Sequence, residues 1–239
     1  MVSFHPDAKF LTDFAAGNLA LSEAICVAAH LEFCSKCRSH VQQLSDLGAQ
    51  LMSRLEVEPM PVDEQDAGDD GFDALMQRID AGDTGMSISP APAPAATARV
   101  SSANPLGLPR VVQKLASEGV QSLKWGQFGK SLRIAPIRID SESRETALYD
   151  IKAGGQMPEH EHRGEEITVL LKGSFSDAEG KYVKGDFVVR HAGERHQPTA
   201  TLDTDCICLV SLEQPVKPSS VWYRLLEPLV QYRLSGLSN

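Results

Sequence analysis

Nothing in this 239-residue chain approaches the roughly 20 consecutive apolar residues that a membrane-spanning helix requires. The opening "MVSFHPDAKFLTDF" has no basic segment followed by an apolar run, so no signal peptide is expected and the cytoplasm is the expected compartment. Cysteine is scarce: five residues, an odd number, argue against a disulfide framework and for metal or redox use. Positive charge is short as well. The net charge is −9, and residues 1–80 hold 14 acidic side chains against 5 basic ones, while the remainder is balanced at 18 of each. A first third so acidic repels nucleic acid and attracts basic surfaces. There is no repeat of solenoid type. What remains, at 42% hydrophobic and 23% charged, is ordinary globular material of a length suited to two modest domains.

The texture changes along the chain. Phe10, Leu11, Phe14 and Ala15 share one helical face that Gly17-Asn18 ends. Ser22, with Glu23 and an apolar run behind it, marks the start of a second helix. The spacing of Leu44, Leu47, Leu51 and Leu55 marks a third, and "FDALMQRID" (72–80) suggests a short fourth. An acidic, turn-rich stretch (56–71) and a Pro/Ala/Gly/Ser tether (81–98) follow helical character. Beyond them "LRIAPIRID", "ALYDIKAG", "EITVLLKGSFSD", "KYVKGDFVVR" and "CICLVSL" are short alternating or apolar runs separated by turn residues, the pattern of an all-β sandwich or barrel. The expected architecture is a helical domain over 1–80, a flexible linker over 81–104 and a β-domain over 105–239. The tail "PSSVWYRLLEPLVQYRL" returns to a helical pattern, broken at Pro228.

Two histidine clusters carry chemistry. In "AHLEFCSKC", His30, Cys34 and Cys37 fall at i, i+4 and i+7, within about 60° of one helix face. Imidazole and thiolate are the donors of a tetrahedral zinc site, and sulfur disfavours magnesium or calcium. Two ligands come easily from one face, and a third if the helix loosens near Cys37. For a fourth, Cys26 lies about 16 Å along a continuous helix from Cys37, and His40 about 15 Å from His30. His5 precedes the first helix and is free to fold back, so it is the better candidate. The plainer alternative is that these residues are simply buried core.

The residues "HLEFCSKC" match the H-x3-C-x2-C signature of zinc-binding anti-sigma factors, and "HPDAKFLTDFAAGNLALSEAICVAAHLEFCSKCRSHV" resembles the opening of the ChrR-type members. The resemblance implies zinc ligation by His5, His30, Cys34 and Cys37, and names as partner a sigma factor of the extracytoplasmic-function, sigma-E type. The charge alone says only that the partner is basic.

The second cluster, "GGQMPEHEHRGEEITVLLKG", reads from Gly154 as G-x5-H-x-H-x3-E-x6-G. On a strand His160 and His162 share a face, and Glu166 can return to it at the start of the next strand. "GDFVVRHAGERH" then adds His196. Three imidazoles and a carboxylate suit a first-row divalent metal, zinc or another. The segment resembles the two-part cupin motif, which implies a double-stranded β-helix with His160, His162, Glu166 and His196 as ligands. Two departures are visible: His191 stands where cupins usually have proline, and Ala200 where asparagine is frequent. His191 reads as a loop residue, and Cys206 and Cys208, on one side of a strand, read as buried packing rather than a disulfide.

A zinc head, a tether and a cupin tail together resemble ChrR-type anti-sigma factors across essentially the whole chain. The implied job is to hold the sigma factor inactive in a 1:1 complex, with no direct DNA binding, until the cupin domain answers singlet oxygen or related oxidative stress, through a small-molecule or oxidant signal. Neither catalysis nor an enzyme cofactor is implied. The rival is a metal-dependent cupin enzyme, a dioxygenase or isomerase with an accessory zinc domain.

Overall fold

The computed structural model describes residues 2–55, 73, 76–78, 107–116, 122–139 and 144–218. The proposed tether and the tail after Pro218 with Trp222 and Tyr223 lie outside them, as do five of the nine residues of the suggested fourth helix; the four that are described, 73 and 76–78, are helical. Among the described residues no single helix is long and apolar enough to cross a membrane.

The first three helices follow the sequence signals closely, with one displaced start. Helix α1 (Ala8–Ala16) is capped by the Asp7 carboxylate, which accepts the Phe10 N–H, and Gly17 closes it in the left-handed conformation at φ 72°. Helix α2 (Leu21–Phe33) begins one residue before Ser22. Its cap is inverted relative to expectation: the Glu23 carboxylate reaches back to the N–H of Ala20, while the Ser22 hydroxyl is buried without a partner. Helix α3 (Ser35–Met52) buries only Cys37 among its 18 residues, and Leu47, Leu51 and Met52 are each more than half exposed.

Among the described residues twelve strands build the second half: β1 (Gly126–Phe128), β2 (Leu132–Ile137), β3 (Glu145–Ile151), β4 (His160–Glu161), β5 (Glu166–Lys172), β6 (Ser174–Ser176), β7 (Lys181–Val183), β8 (Phe187–Arg190), β9 (Arg195–His196), β10 (Thr199–Ala200), β11 (Cys206–Leu212) and β12 (Lys217–Pro218). They form an antiparallel sheet in the order β1-β2-β3-β11-β5-β8 and two smaller sheets, β10-β6-β7 and β12-β4-β9. A short helix, α4 (Arg110–Leu115), precedes them.

Strands β5 and β11 explain how helices and sheets come together. Side chains alternate along a strand. Cys206, Cys208, Val210 and Leu212 of β11, with Leu170 of β5, enter the interior between the sheets. Ile207 and Leu209, with Ile167, Val169 and Leu171, enter a second core on the opposite face, together with Leu11, Ile25, Cys26, Val27 and Ala29 of the helices. Both faces of the central strands are therefore covered, which is why "EITVLL" and "CICLV" are continuous apolar runs rather than alternating ones. Among the described residues, 2–50 and 107–218 belong to one compact unit.

Polar contacts tie the two halves of that unit. The nearly buried Arg144 pairs with Glu23 of α2 at 3.1 Å and Glu165 at 3.3 Å, and donates to the Ser211 hydroxyl at 2.9 Å. Glu32 of α2 accepts the Arg110 N–H at 2.6 Å, supplying α4 with an acidic cap from another helix.

Candidate metal centres

The first cluster is made by a break in the helix. Cys34 sits between α2 and α3 with φ −112° and ψ 104°, so the chain turns three residues before the expected loosening at Cys37. The Cys34 sulfur accepts the N–H of Cys37 at 3.4 Å, acting as the N-capping side chain of α3. Both cysteines thus lie at the start of α3. The segment before α1 folds back as expected and sets His5 Nδ1 3.4 Å from each sulfur. The ligand atoms of His5, His30, Cys34 and Cys37 all lie within 4.8 Å of one another.

Do these residues fit zinc? Tetrahedral bonds of about 2.3 Å to sulfur and 2.0–2.1 Å to nitrogen place sulfur and nitrogen roughly 3.5 Å apart, close to what is seen. His30 donates from Nδ1 to the Gly185 carbonyl at 2.7 Å, which leaves Nε2 as the lone-pair nitrogen, buried and without a partner. Burial holds the His30 ring below its ordinary pKa, hence neutral. Burial and the neighbouring Cys34 push the Cys37 thiol up to about 11, a cost that a cation reverses by coordinating thiolate. This histidine–cysteine group fits zinc.

Cys26 and His40 take no part. Cys26 is wholly buried against the sheet, its thiol raised to about 12 by burial, and His40 is exposed on α3.

In the barrel, β4 pairs with β9 so that His160 lies directly opposite His196, and the ligand nitrogens of His160, His162 and His196 lie within 4.8 Å of one another. The outward nitrogens set the tautomers: His160 Nδ1 donates to the Pro158 carbonyl at 2.9 Å, and His196 Nδ1 to Asp177 at 3.0 Å. Their Nε2 atoms then face each other with lone pairs at 3.0 Å, an arrangement that calls for a cation or a shared proton. Burial lowers His162 and His196 to about 4, so both are neutral, and neither ring nitrogen of His162 has a hydrogen-bond partner. The trio fits a divalent metal.

Glu166 stands just outside this group. Its Oε2 is 3.6 Å from His162 Nδ1, and its Oε1 accepts from the Thr168 hydroxyl at 2.8 Å. Together with His160, His196, Tyr149, Met157 and Cys208 it lines a small cleft. Burial and Glu166 raise the Tyr149 phenol, keeping it protonated. His191 is an exposed loop residue, and Cys206 and Cys208 are buried free thiols 3.7 Å apart.

No spacing in the chain pointed to the carboxylate behind His196. The Asp177 side chain is fully buried and pairs with Arg190 at 2.8 Å. Burial opposes its charge, but bonds from His196, the Glu179 N–H and Arg190 outweigh that and hold its pKa below the ordinary value. Asp177→Asn is expected to weaken divalent-cation binding in the barrel about 10- to 100-fold, measured by chelator competition. Unchanged affinity would remove Asp177 from the site.

Comparison with known proteins covers both centres. Residues 115–216 match the ChrR Cupin-like domain family. The chain is 28% identical over 227 residues to the anti-sigma-E factor ChrR of Cereibacter sphaeroides, spanning 95% of this chain and 97% of that protein. The fold superposes on the crystal structure of Rhodobacter sphaeroides SigE in complex with the anti-sigma ChrR with a TM-score of 0.69 at 24% identity, covering 89% of this chain and 99% of that one.

Proposed function

We propose that this ChrR-like chain is an anti-sigma factor that binds and inhibits an extracytoplasmic-function sigma factor of the sigma-E type. The observation that carries the reading is likeness to an anti-sigma-E factor over 95% of the chain, helices and barrel alike. The residues named for each role are His5, His30, Cys34 and Cys37 as zinc ligands, and His160, His162 and His196, with Glu166 beside them, as holders of a second divalent metal. A bound zinc supplies cross-linking between the segment before α1 and the α2–α3 junction. The chain's own contribution to binding is the exposed side of α3, where Leu47 and Leu51 offer apolar surface. Masking of sigma surfaces is the mechanism, and negative charge speeds and orients docking onto a basic partner.

In this reading the protein acts in the cytoplasm, is not an enzyme, and needs the barrel for release under singlet oxygen or related oxidative stress. The cleft beside the histidine trio is the sensing end. Co-expression with the sigma factor encoded beside it is expected to give a 1:1 complex that blocks transcription in a purified system. A chain that neither co-purifies with nor inhibits that sigma factor, or one whose cleft turns over a diffusible substrate, would defeat the proposal.

A further inference from the structure

The turn between β7 and β8, residues 183–187 of the barrel, touches the segments that carry the head's cation ligands. The Gly185 carbonyl accepts from His30 Nδ1 at 2.7 Å, and the Gly185 N–H is itself fixed on the Leu170 carbonyl at 2.8 Å. Asp186, fully buried, accepts through Oδ1 the N–H groups of Ser3 at 2.6 Å and Phe4 at 3.1 Å, the two residues before His5. Its Oδ2 accepts the Val183 N–H at 2.8 Å, which locks the turn. Phe187 donates its N–H to the Phe4 carbonyl at 3.0 Å. The cation of Lys184 lies 5.0 Å from the ring centre of Phe33, the residue before Cys34.

We propose that Gly185 and Asp186 are positioning residues of the N-terminal metal centre, so that the barrel supplies the outer shell of the head's site. A ligating histidine is held in its productive tautomer by an acceptor on its other nitrogen, and loss of such an acceptor typically costs 10- to 100-fold in metal affinity. Here that acceptor belongs to the barrel and lies 155 residues away in sequence. Gly185 is also the only kind of residue that suits the spot. Its φ is +94°, and a Cβ there would lie 2.7 Å from Val2 Cγ2 and 2.8 Å from Phe33 Cβ. A side chain on the turn would push the barrel off the two segments that flank the ligands. The inference rests on the cluster being a metal site and is independent of which partner the chain binds.

The test uses the full chain with cobalt as the probe, read by the thiolate-to-cobalt charge-transfer absorption that reports Cys34 and Cys37, and by the ligand-field bands that report geometry. Wild type is expected to bind one thiolate-ligated cobalt. Gly185→Ala and the isosteric Asp186→Asn are expected to weaken that binding 10- to 100-fold and to alter the ligand-field bands. Glu23→Gln, which loosens the Arg144 contact at another part of the helix–barrel interface, is expected to leave affinity and spectrum at the wild-type level. Should Gly185→Ala fail to fold, Asp186→Asn decides. Absence of thiolate-ligated cobalt in wild type would overturn the metal-site reading and this inference with it. Tight wild-type binding with unchanged affinity and bands in Asp186→Asn would overturn this inference alone, as would an equal loss in Glu23→Gln.

Discussion

Replacing Cys34 and Cys37 together by serine is expected to remove one equivalent of zinc from the purified chain and to abolish sigma inhibition. Serine has nearly the shape of cysteine, so packing changes little, but its hydroxyl does not ionise near neutral pH and oxygen is the wrong partner for a borderline-soft ion. The binding free energy of a structural zinc site is on the order of 10–16 kcal/mol and counts directly as folding free energy. That exceeds or matches the roughly 5–15 kcal/mol by which a whole domain is stable. The loss falls on the segment before α1 and on the α2–α3 junction, because these supply His5, His30 and the two sulfurs, which lie within 4.8 Å of one another. Barrel amides should keep their protection from hydrogen exchange, while those of α1 and the start of α3 lose it. A folded double variant that still inhibits the sigma factor would contradict the proposed role of the cluster.

Phe187→Ala is expected to cost about 3–5 kcal/mol, the range for removing a buried aromatic side chain. Phe187 is 2% exposed and starts β8, yet its ring packs 5.5 Å from that of Phe10 on α1 and 5.9 Å from that of His30 on α2. The cavity therefore opens inside the core that helices and sheet share. Urea denaturation of the full chain should show a lower midpoint, and the helical amides should exchange faster than those of β3 and β11. A change below about 1 kcal/mol would mean that helices and barrel do not depend on a common core.

How much of this was readable beforehand varies by element. The donor sets were legible because their spacing is covalent: H-x3-C-x2-C and H-x-H-x3-E place ligands near one another through a few residues of chain, whatever the rest does. Strands such as Glu145–Ile151 and Cys206–Leu212 announced themselves through turn-bounded apolar runs. Helix α4 did not, since six residues are too few for a period and its cap comes from Glu32 on α2. Asp177 behind His196 left no trace either, because its partners lie 13 and 19 residues away and meet it only across the folded barrel.

Taken alone, the amino-acid order determined which side chains form the two candidate metal centres, where the helical and β halves lie, and that the first third is acidic. Tertiary structure alone decided that α2 lies across the outer face of the central sheet and that a glycine carbonyl of the barrel reaches His30. The reason is physical: periodicity says that a helix has an apolar side and that a strand is buried on both faces, but burial of apolar surface is non-directional and names no partner. Shape, a close approach permitted by one glycine, and a handful of buried polar bonds made that choice.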